Sequence, residues 1–194
     1  EEHVTSARAI LHNLHMKAAA GAATPGEARA LCFIDISKAF DKTQGHVIIA
    51  TLRHFLPIPG IEQLLSMLND LYSDCILVFS NNALAIEMPK IGGVNQGDAL
   101  SPVLFMVVKE YVNRTVRPAC DPSINLWPTG TIIRTTFEYA DDDFRVLQAS
   151  SLEELLLKLK DFFLIMDRAL AAVGLSVAQT KTKFFLTEVR KMEN

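Results

Sequence analysis

The segment Tyr139-Ala140-Asp141-Asp142 decides how this chain is interpreted, because it places two adjacent carboxylates in a stretch that predicts a tight β-hairpin. The segments 131–137 and 144–147 would form the two strands of that hairpin. A third acid, Asp143, follows directly and adds to the repulsion. Like charges this close favour a cation that offsets them, and magnesium binds carboxylate oxygens while keeping waters for a phosphate substrate. The alternative is an acidic surface turn, since aspartate is common in turns.

Asp35 is a second acid that suits the same kind of site. The apolar run 31–34 predicts a short buried strand, and Asp35 ends it. A buried carboxylate is costly unless it is paired or ligates a metal. If this strand lies beside the hairpin, Asp35 and Asp141 converge on the same ions, as in two-metal displacement at phosphorus. The alternative is that Asp35 only caps the next helix.

The glycine-rich segment 91–102 is the third informative region. Ser101 and Pro102 suit the N-cap and the first position of a helix, which the following apolar run continues. Ahead of that cap, three glycines would let the backbone approach a ligand closely, at positions 92, 93 and 97.

With a fourth segment near the C-terminus, these regions form an ordered set of motifs. The motifs are Asp35-Ile-Ser-Lys-Ala-Phe-Asp41, Gly93-Val-Asn-Gln-Gly-Asp-Ala-Leu-Ser-Pro102, Tyr139-Ala-Asp-Asp142 and Gly174-Leu-Ser-Val-Ala-Gln-Thr-Lys-Thr182. In order and spacing they resemble the palm of reverse transcriptases. The match is best to those of non-LTR retrotransposons, with group II intron enzymes and telomerase as more distant relatives. The resemblance covers residues 1–187.

The resemblance implies an α+β fold, a polymerase palm whose antiparallel sheet packs on helices, with partial fingers at the N-terminal side. Residues 1–194 would form one palm domain of a longer retroelement polypeptide, with most of the fingers and all of the thumb outside it. The implied activity is RNA-templated DNA synthesis by two-metal nucleotidyl transfer. Its partners would be an RNA template, a DNA primer and deoxynucleoside triphosphates, and the chain by itself is expected to be inactive.

The resemblance also carries functional roles to individual positions. Two magnesium ions, with manganese as an alternative, would be held by Asp35, Asp141, Asp142 and the Ile36 backbone. The three aspartates would be catalytic. Lys181 matches a lysine that protonates the leaving pyrophosphate, and its alternative is an ordinary solvated lysine.

Three more positions match the family's nucleotide site. Phe40 matches a sugar gate, a ring that leaves no room for a 2′-hydroxyl, and its alternative is a core aromatic residue. Gln96 and Gly97 match the loop that lines the incoming nucleotide and the template base. Asp41, the second acid of the first motif, is expected to cap the following helix or to orient a neighbouring group.

The chain departs from the family pattern at three positions. Asp143 stands where the family has an aliphatic residue, Ala178 where it has asparagine, and Ala99 where it usually has proline. These changes motivate an alternative function, a catalytically decayed palm that acts as an RNA-binding or scaffold module. An RNA-dependent RNA polymerase, which typically carries Gly-Asp-Asp, is disfavoured by Ala140 and Phe40.

Strand alternation makes a specific prediction for the residues after the paired acids. Asp143 and Arg145 would project to one face of a strand and form a pair there. Phe144 and Val146 would then fill the core from the other face.

The composition suits one sizeable core, with 194 residues of which 49% are hydrophobic. The formal charge is -3, from 19 Lys+Arg against 22 Asp+Glu, whereas a nucleic-acid binder usually has a basic face. Three cysteines leave at least one unpaired and predict reduced thiols at the core or its boundary. No targeting peptide or membrane span is apparent, which predicts an intracellular protein, nuclear or cytoplasmic and not secreted.

Local patterns predict one compact α+β unit. Helices are expected at about 4–20, 46–56, 61–72, 102–116 and 151–174, the last opened by a Ser151–Glu154 capping box and closed by Gly174. Strands are expected at 31–36, 75–79, 83–88 and 182–186, besides the hairpin. A proline-rich connection would run from 118 to 128.

Overall fold

The computed structural model describes residues 2–20, 22, 24–72, 76–80, 84–89, 92–95, 97–120, 123–126, 129, 131–139 and 141–189. Its helices are α1 (Glu2–Ala19), α2 (Ala39–Lys42), α3 (Gly45–Phe55), α4 (Ile61–Tyr72), α5 (Ser101–Val116) and α6 (Leu152–Ala172). Its strands are β1 (Ala28–Asp35), β2 (Ile76–Ser80), β3 (Ala85–Pro89), β4 (Ser123–Leu126), β5 (Thr131–Arg134), β6 (Thr136–Tyr139), β7 (Asp142–Ala149) and β8 (Lys183–Glu188). The predicted mixture of helices and antiparallel strands is confirmed. Among the described residues, no helix combines the length and apolar content needed to cross a membrane.

The chain divides into two compact units where the sequence predicted one. Unit 1 comprises Glu1–Ile36, Arg114–Ala169 and Ser176–Asn194, and unit 2 comprises Ser37–Asn113 and Leu170–Leu175. The division falls just after the first acidic strand, so the first motif is shared between the units.

Unit 1 contains a four-stranded antiparallel sheet in the order β6-β7-β1-β8. Strand β1 pairs with β7 from Ala28 opposite Ala149 to Asp35 opposite Asp142, and β8 pairs along its other edge. Residues of β1 are buried on both faces almost to its end. The continuous apolar run is therefore the signature of a strand covered on both faces rather than an alternating surface strand.

The core on one face of this sheet joins the two central strands to α1. Ile10 of α1 is buried with Leu31, Phe144 and Val146, and Phe33 packs against them. The rings of Phe33 and Phe144 lie 4.9 Å apart between centroids. The prediction that Phe144 and Val146 fill the core is confirmed.

The predicted hairpin is shorter than the sequence suggested. The segment 131–137 is interrupted at the buried residue Thr135, whose carbonyl accepts a hydrogen bond from the Val146 N–H at 2.8 Å. Only β6 pairs with β7, whereas β5 pairs with β4, inside the predicted proline-rich connection. The expectation of one continuous strand there was wrong. Strand β4 can pair with β5 because its four residues, Ser123–Leu126, include no proline and keep their N–H groups.

Helix α6 begins and ends where its local signals predicted. Ser151 Oγ accepts the Glu154 N–H at 3.1 Å. The Glu154 carboxylate accepts the Ser150 N–H and hydroxyl, at 3.0 and 2.6 Å, rather than the Ser151 N–H that a full capping box would use. At the other end, Gly174 has φ +75°, and the Leu175 N–H bonds to the Leu170 carbonyl at 2.9 Å. This is the Schellman arrangement that favours glycine.

Two cysteines match the prediction of core or boundary thiols. Cys32 is buried in β1 and Cys120 is partly buried, and neither forms a disulfide bond among the described residues. Burial, with a smaller contribution from Cys120, raises the pKa of the Cys32 thiol to about 12, so it stays protonated and unreactive at neutral pH. Cys75 lies outside the described residues.

Candidate active site

The sheet brings the two acidic segments of the sequence together. Asp35 is the last residue of β1 and Asp142 the first of β7, and the two are directly opposite in the antiparallel ladder. Directly opposite residues project to the same face, about 4.5–5.5 Å apart between Cβ atoms. The backbone adds a link to the third acid, because the Ile36 N–H donates to the Asp141 carbonyl at 3.2 Å. Asp35 therefore lies on the same side of the sheet as the hairpin acid Asp142.

The fourth motif closes on Asp35 from the other edge of β1. The Ala178 N–H donates to the Asp35 carbonyl at 2.8 Å, and the Asp35 N–H donates to Thr182 Oγ1 at 3.3 Å. Lys181 Nζ lies 3.3 Å from Asp35 Oδ2. The Lys181 side chain is 69% exposed, so this is a surface ion pair of modest energy, but it places the ammonium at the acid. The contact argues against a lysine that is merely solvated.

Thr182 is a site residue to which sequence reasoning gave no role. It was visible only as the end of the fourth motif, and nothing local showed that its hydroxyl would bond to a residue 147 positions away. Ala178 likewise contributes through its backbone. Its carbonyl also accepts the Lys181 and Thr182 N–H groups at 3.0 and 2.9 Å, which turns the chain towards Asp35.

A cavity of about 270 Å³ opens between the acids and the aromatic core of unit 1. Its lining combines the apolar residues Phe33, Ile34 and Phe144 with Asp35, Asp142, Asp143 and Lys181. A cavity lined in this way can hold an apolar group of a ligand while the charged atoms of the same ligand meet Asp35, Asp142 or Lys181.

The carboxylate oxygens at this cavity suit a hard divalent cation as ligands. Asp35 Oδ1 is buried and has no hydrogen-bond partner among the described residues, whereas Oδ2 faces Lys181. A buried carboxylate oxygen without a partner calls for a cation or an ordered water, and carboxylate oxygens are the ligands that magnesium and manganese prefer. Within the described residues no group of three His, Cys, Asp or Glu side chains is placed to hold a metal ion. The acids that the sheet brings directly opposite each other are two, Asp35 and Asp142.

The placement of Asp143 corrects the view that it adds repulsion to the acidic pair. It is 4% exposed and lies next to Asp142 in β7, so strand alternation turns its side chain to the opposite face. There its Oδ2 accepts from Arg145 Nη2 at 3.3 Å, as the alternation predicted. A guanidinium offsets the Asp143 charge.

Unit 2 contains the residues that the sequence assigned to the nucleotide. Phe40 is half-buried, and its ring centroid lies 5.3 Å from that of the buried Phe105. The Phe40 carbonyl accepts the Val94 N–H at 2.9 Å, so the glycine-rich loop is attached to the end of the first motif. Within the first motif, two residues before Phe40, Lys38 has φ 50°, a strained conformation for a residue other than glycine.

Two expectations in this unit are corrected. Asp41 lies inside α2, and the residue that precedes α3 as N-cap is Gln44, so Asp41 does not cap that helix. Helix α5 starts at Ser101, one residue earlier than predicted, and Ser101 Oγ is buried without a hydrogen-bond partner among the described residues. The Asp98 carboxylate instead accepts the Leu100 N–H at 3.1 Å ahead of the helix.

The glycines of the loop differ in purpose. A Cβ on Gly93 would lie 2.6 Å from the Asp41 carbonyl oxygen, so this glycine permits contact with protein backbone rather than with a ligand. Gly97, at φ +88°, has nothing within 4 Å of such an atom and leaves its surroundings open. Gln96 lies outside the described residues.

We expect Gly93→Ala to destabilise the chain more than Gly97→Ala. Both residues have positive φ, +79° and +88°, so each substitution costs ~1–2 kcal/mol of backbone strain. Only at Gly93 does the new methyl group also meet backbone, which adds about 1–3 kcal/mol. Urea unfolding of the two variants measures the difference directly. Equal decreases in the free energy of unfolding for the two variants would contradict the close contact between Gly93 and the Asp41 backbone.

Comparison with known proteins agrees with this geometry. Over residues 4–193 the sequence matches the family described as reverse transcriptase (RNA-dependent DNA polymerase). Among solved structures it is similar to apo telomerase from Candida tropicalis truncated from its C-terminal domain, at 15% identity and TM-score 0.58, over 95% of this chain and 35% of that one. It is also similar to telomerase from Candida albicans in complex with a TWJ fragment of telomeric RNA, at 12% identity and TM-score 0.60, over 97% and 32%. No curated protein matches the chain.

The similar structures show the fold of the chain, and the family match shows its family. At 12–15% identity the telomerase structures show the fold alone, and they confirm the predicted polymerase palm of helices and antiparallel sheet. The chain spans about a third of their length, 32–35%. The family match extends over nearly all of the sequence, residues 4–193, and includes all four motifs. The chain therefore belongs to the reverse transcriptase family of RNA-dependent DNA polymerases.

Proposed function

We propose that this chain is the catalytic palm of a non-LTR retrotransposon reverse transcriptase, which makes DNA on an RNA template by two-metal nucleotidyl transfer. The observation that carries the proposal is Asp35 directly opposite Asp142, with the Asp141 carbonyl bonded to Ile36 beside them. Two acids from separate motifs meet at one edge of a sheet although 107 positions separate them in the sequence. That arrangement suits in-line displacement at phosphorus.

The ion-binding residues would be Asp35, Asp141 and Asp142, together with the backbone of Ile36. Because the Ile36 N–H is already bonded to the Asp141 carbonyl, its contribution would come from its carbonyl oxygen. When bound, two magnesium or manganese ions supply acidification of the primer 3′-hydroxyl and neutralisation of charge on the triphosphate. The protein's part is to hold the carboxylates at fixed spacing on adjacent strands.

Four residues would act on the nucleotide itself. Lys181 Nζ lies 3.3 Å from Asp35 Oδ2, and its exposed side chain would donate to the leaving pyrophosphate. Phe40 would exclude a 2′-hydroxyl, and Gln96 and Gly97 would line the incoming nucleotide and the template base. The proposed partners are an RNA template, a DNA primer, deoxynucleoside triphosphates and the rest of a longer intracellular retroelement polypeptide.

A silent palm that binds RNA or acts as a scaffold is the second candidate. The formal charge of -3 weakens binding to nucleic acid, so within this candidate it favours the scaffold over the RNA binder. Two other arguments for it are weakened by the geometry. Asp143 is offset by Arg145, and Ala178 still bonds to Asp35 through its backbone N–H. Both departures from the family pattern are therefore compatible with an intact acidic site.

We expect the 194-residue chain alone to show no measurable primer extension, and the same chain joined to fingers and thumb of a related enzyme to extend a primer on RNA. The reason is that positioning of duplex and triphosphate supplies much of the catalysis, and an acidic chain grips nucleic acid poorly. The measurement is primer extension with deoxynucleotides on matched RNA and DNA templates. Robust extension by the chain alone would contradict the need for the added parts. Failure of the joined protein, when folded and bound to primer–template, would favour the silent palm.

A further inference from the structure

Two carboxylates face each other in the β6–β7 hairpin, on the face of β7 opposite Phe144 and Val146. Glu138 of β6 is directly opposite Asp143 of β7. The Glu138 side chain is 17% exposed and the Asp143 side chain 2% exposed. Like charges directly opposite in a ladder are destabilising, the more so where water is excluded. This pair therefore requires a cation.

Arg145 supplies that cation. It lies two residues beyond Asp143 on the same face of β7, and its side chain is fully buried. A single nitrogen, Nη2, lies 2.8 Å from Glu138 Oε1 and 3.3 Å from Asp143 Oδ2. We call these three residues the Arg145 cluster. The pair with Glu138 crosses from one strand of the hairpin to the other.

The cluster depends on how the strands are aligned. Side chains alternate with period two along a strand, so a slip of one residue would turn Glu138 to the other face of the sheet. Arg145 would then lose its cross-strand ion pair with Glu138, and breaking a buried ion pair is strongly unfavourable. Strand β6 has only four residues, whereas β1 and β7 are held by eight consecutive pairs. The alignment of β6 is therefore the one that needs a specific device.

The alignment of β6 also sets the turn that carries the acids. Tyr139 pairs with Asp142, and Asp141 lies in the connection between them. A shifted β6 would change the length of that connection and move the Asp141 carbonyl away from the Ile36 N–H, which it meets at 3.2 Å.

We propose that Arg145 is a positioning residue: its ion pairs with Glu138 and Asp143 fix the alignment of β6 on β7 and so hold Asp141 beside Asp35 and Asp142. The metal-related part of this proposal rests on the function proposed above. Asp143 is then the partner that accompanies a buried Arg145 rather than a mark of decay.

The test compares two variants of the 194-residue chain. Arg145→Met removes the cation and leaves two facing carboxylates. The triple variant Glu138→Leu/Asp143→Val/Arg145→Met removes every charge of the cluster at similar volume, which commonly preserves stability. Arg53→Met is the control, because Arg53 also forms an ion pair with a glutamate, Glu62 at 2.8 Å, but on an exposed surface of unit 2.

Two readouts are measured on each protein. Cross-strand NOEs of the Phe137–Phe144 and Tyr139–Asp142 pairs report the alignment of the hairpin, with the Leu31–Val146 pair as an internal reference. Calorimetric titration with Mn²⁺ alone measures the affinity of the acidic site, Asp35, Asp141 and Asp142, for a divalent ion. We expect both variants to lose the NOEs of the hairpin pairs and to keep those of the reference pair. We also expect both to bind Mn²⁺ about ten- to a hundredfold more weakly than the natural chain. The Arg53→Met control should match the natural chain in both.

The outcomes separate this proposal from the function on which it rests. A triple variant with unchanged NOEs and unchanged Mn²⁺ affinity would overturn the positioning role and leave Arg145 a purely structural residue. If Arg145→Met does not fold, the triple variant decides. A natural chain that shows the hairpin NOEs but binds no Mn²⁺ would count against the proposed metal site, while the NOEs of the variants would still decide the alignment.

Discussion

Replacing Asp35 by asparagine is expected to reduce primer extension on the order of a thousandfold in a polypeptide that is otherwise active. Asparagine keeps the size of the side chain and its place at the end of β1, but it removes the charge opposite Asp142 and beside Lys181. Stabilisation of transition-state charge by bound metal amounts to several kcal/mol, and each 1.36 kcal/mol is about tenfold in rate. The measurement is the rate of deoxynucleotide incorporation at saturating magnesium.

A matched control is Asp161→Asn, which makes the same chemical change on an exposed turn of α6. It should leave the rate within about twofold, since surface substitutions away from special features alter little. Unfolding curves of both variants exclude global loss of structure as the cause. A folded Asp35→Asn protein with a near-normal rate would remove Asp35 from the catalytic set and, with it, the argument from the paired strands.

Replacing Phe40 by valine is expected to raise the use of ribonucleotides relative to deoxynucleotides by about tenfold or more. A smaller side chain would admit the 2′-hydroxyl, and steric discrimination of this size is usual for a change of a few methylene groups. The ring is half-buried against Phe105, so the variant also loses packing, less than the ~3–5 kcal/mol of a fully buried Phe→Ala. The informative measurement is therefore the ratio of the two kcat/KM values rather than either rate.

Phe105→Leu separates the gate from its packing partner. Phe105 is fully buried and its ring contacts Phe40, so this variant perturbs the same cluster without altering the Phe40 side chain. We expect it to lower stability and to leave the ribo-to-deoxy ratio unchanged. An unchanged ratio in a folded, active Phe40→Val protein would make Phe40 a core residue only.

Elements with strong local signals were predictable from the sequence. The bounds of α4, Ile61–Tyr72, agree with the prediction at both ends, because its apolar residues recur at helical spacing. Helix α6 was delimited by Ser151 at its start and Gly174 at its end, since capping depends on residues within a few positions of each other.

Elements that depend on distant partners were predicted less well. The pairing of β5 with β4 rather than β7 was missed, because the sequence of a short strand does not specify which strand it will pair with. The bonding of Thr182 and Ala178 to Asp35 was missed for the same reason. In both cases the deciding contact joins segments that no local pattern connects.

The sequence by itself was enough to identify the family and the candidate acids. The residues expected to hold metal and nucleotide lie in short motifs, and the order of these motifs can be read from a single chain. Only the tertiary structure decided which acids meet. It set Asp35 opposite Asp142 and turned Asp143 away to Arg145, because strand register and period-two alternation assign each side chain to a face. A difference of one position along β7 thus separates an acid at the candidate site from one that neutralises a buried guanidinium, and sequence proximity alone cannot express that difference.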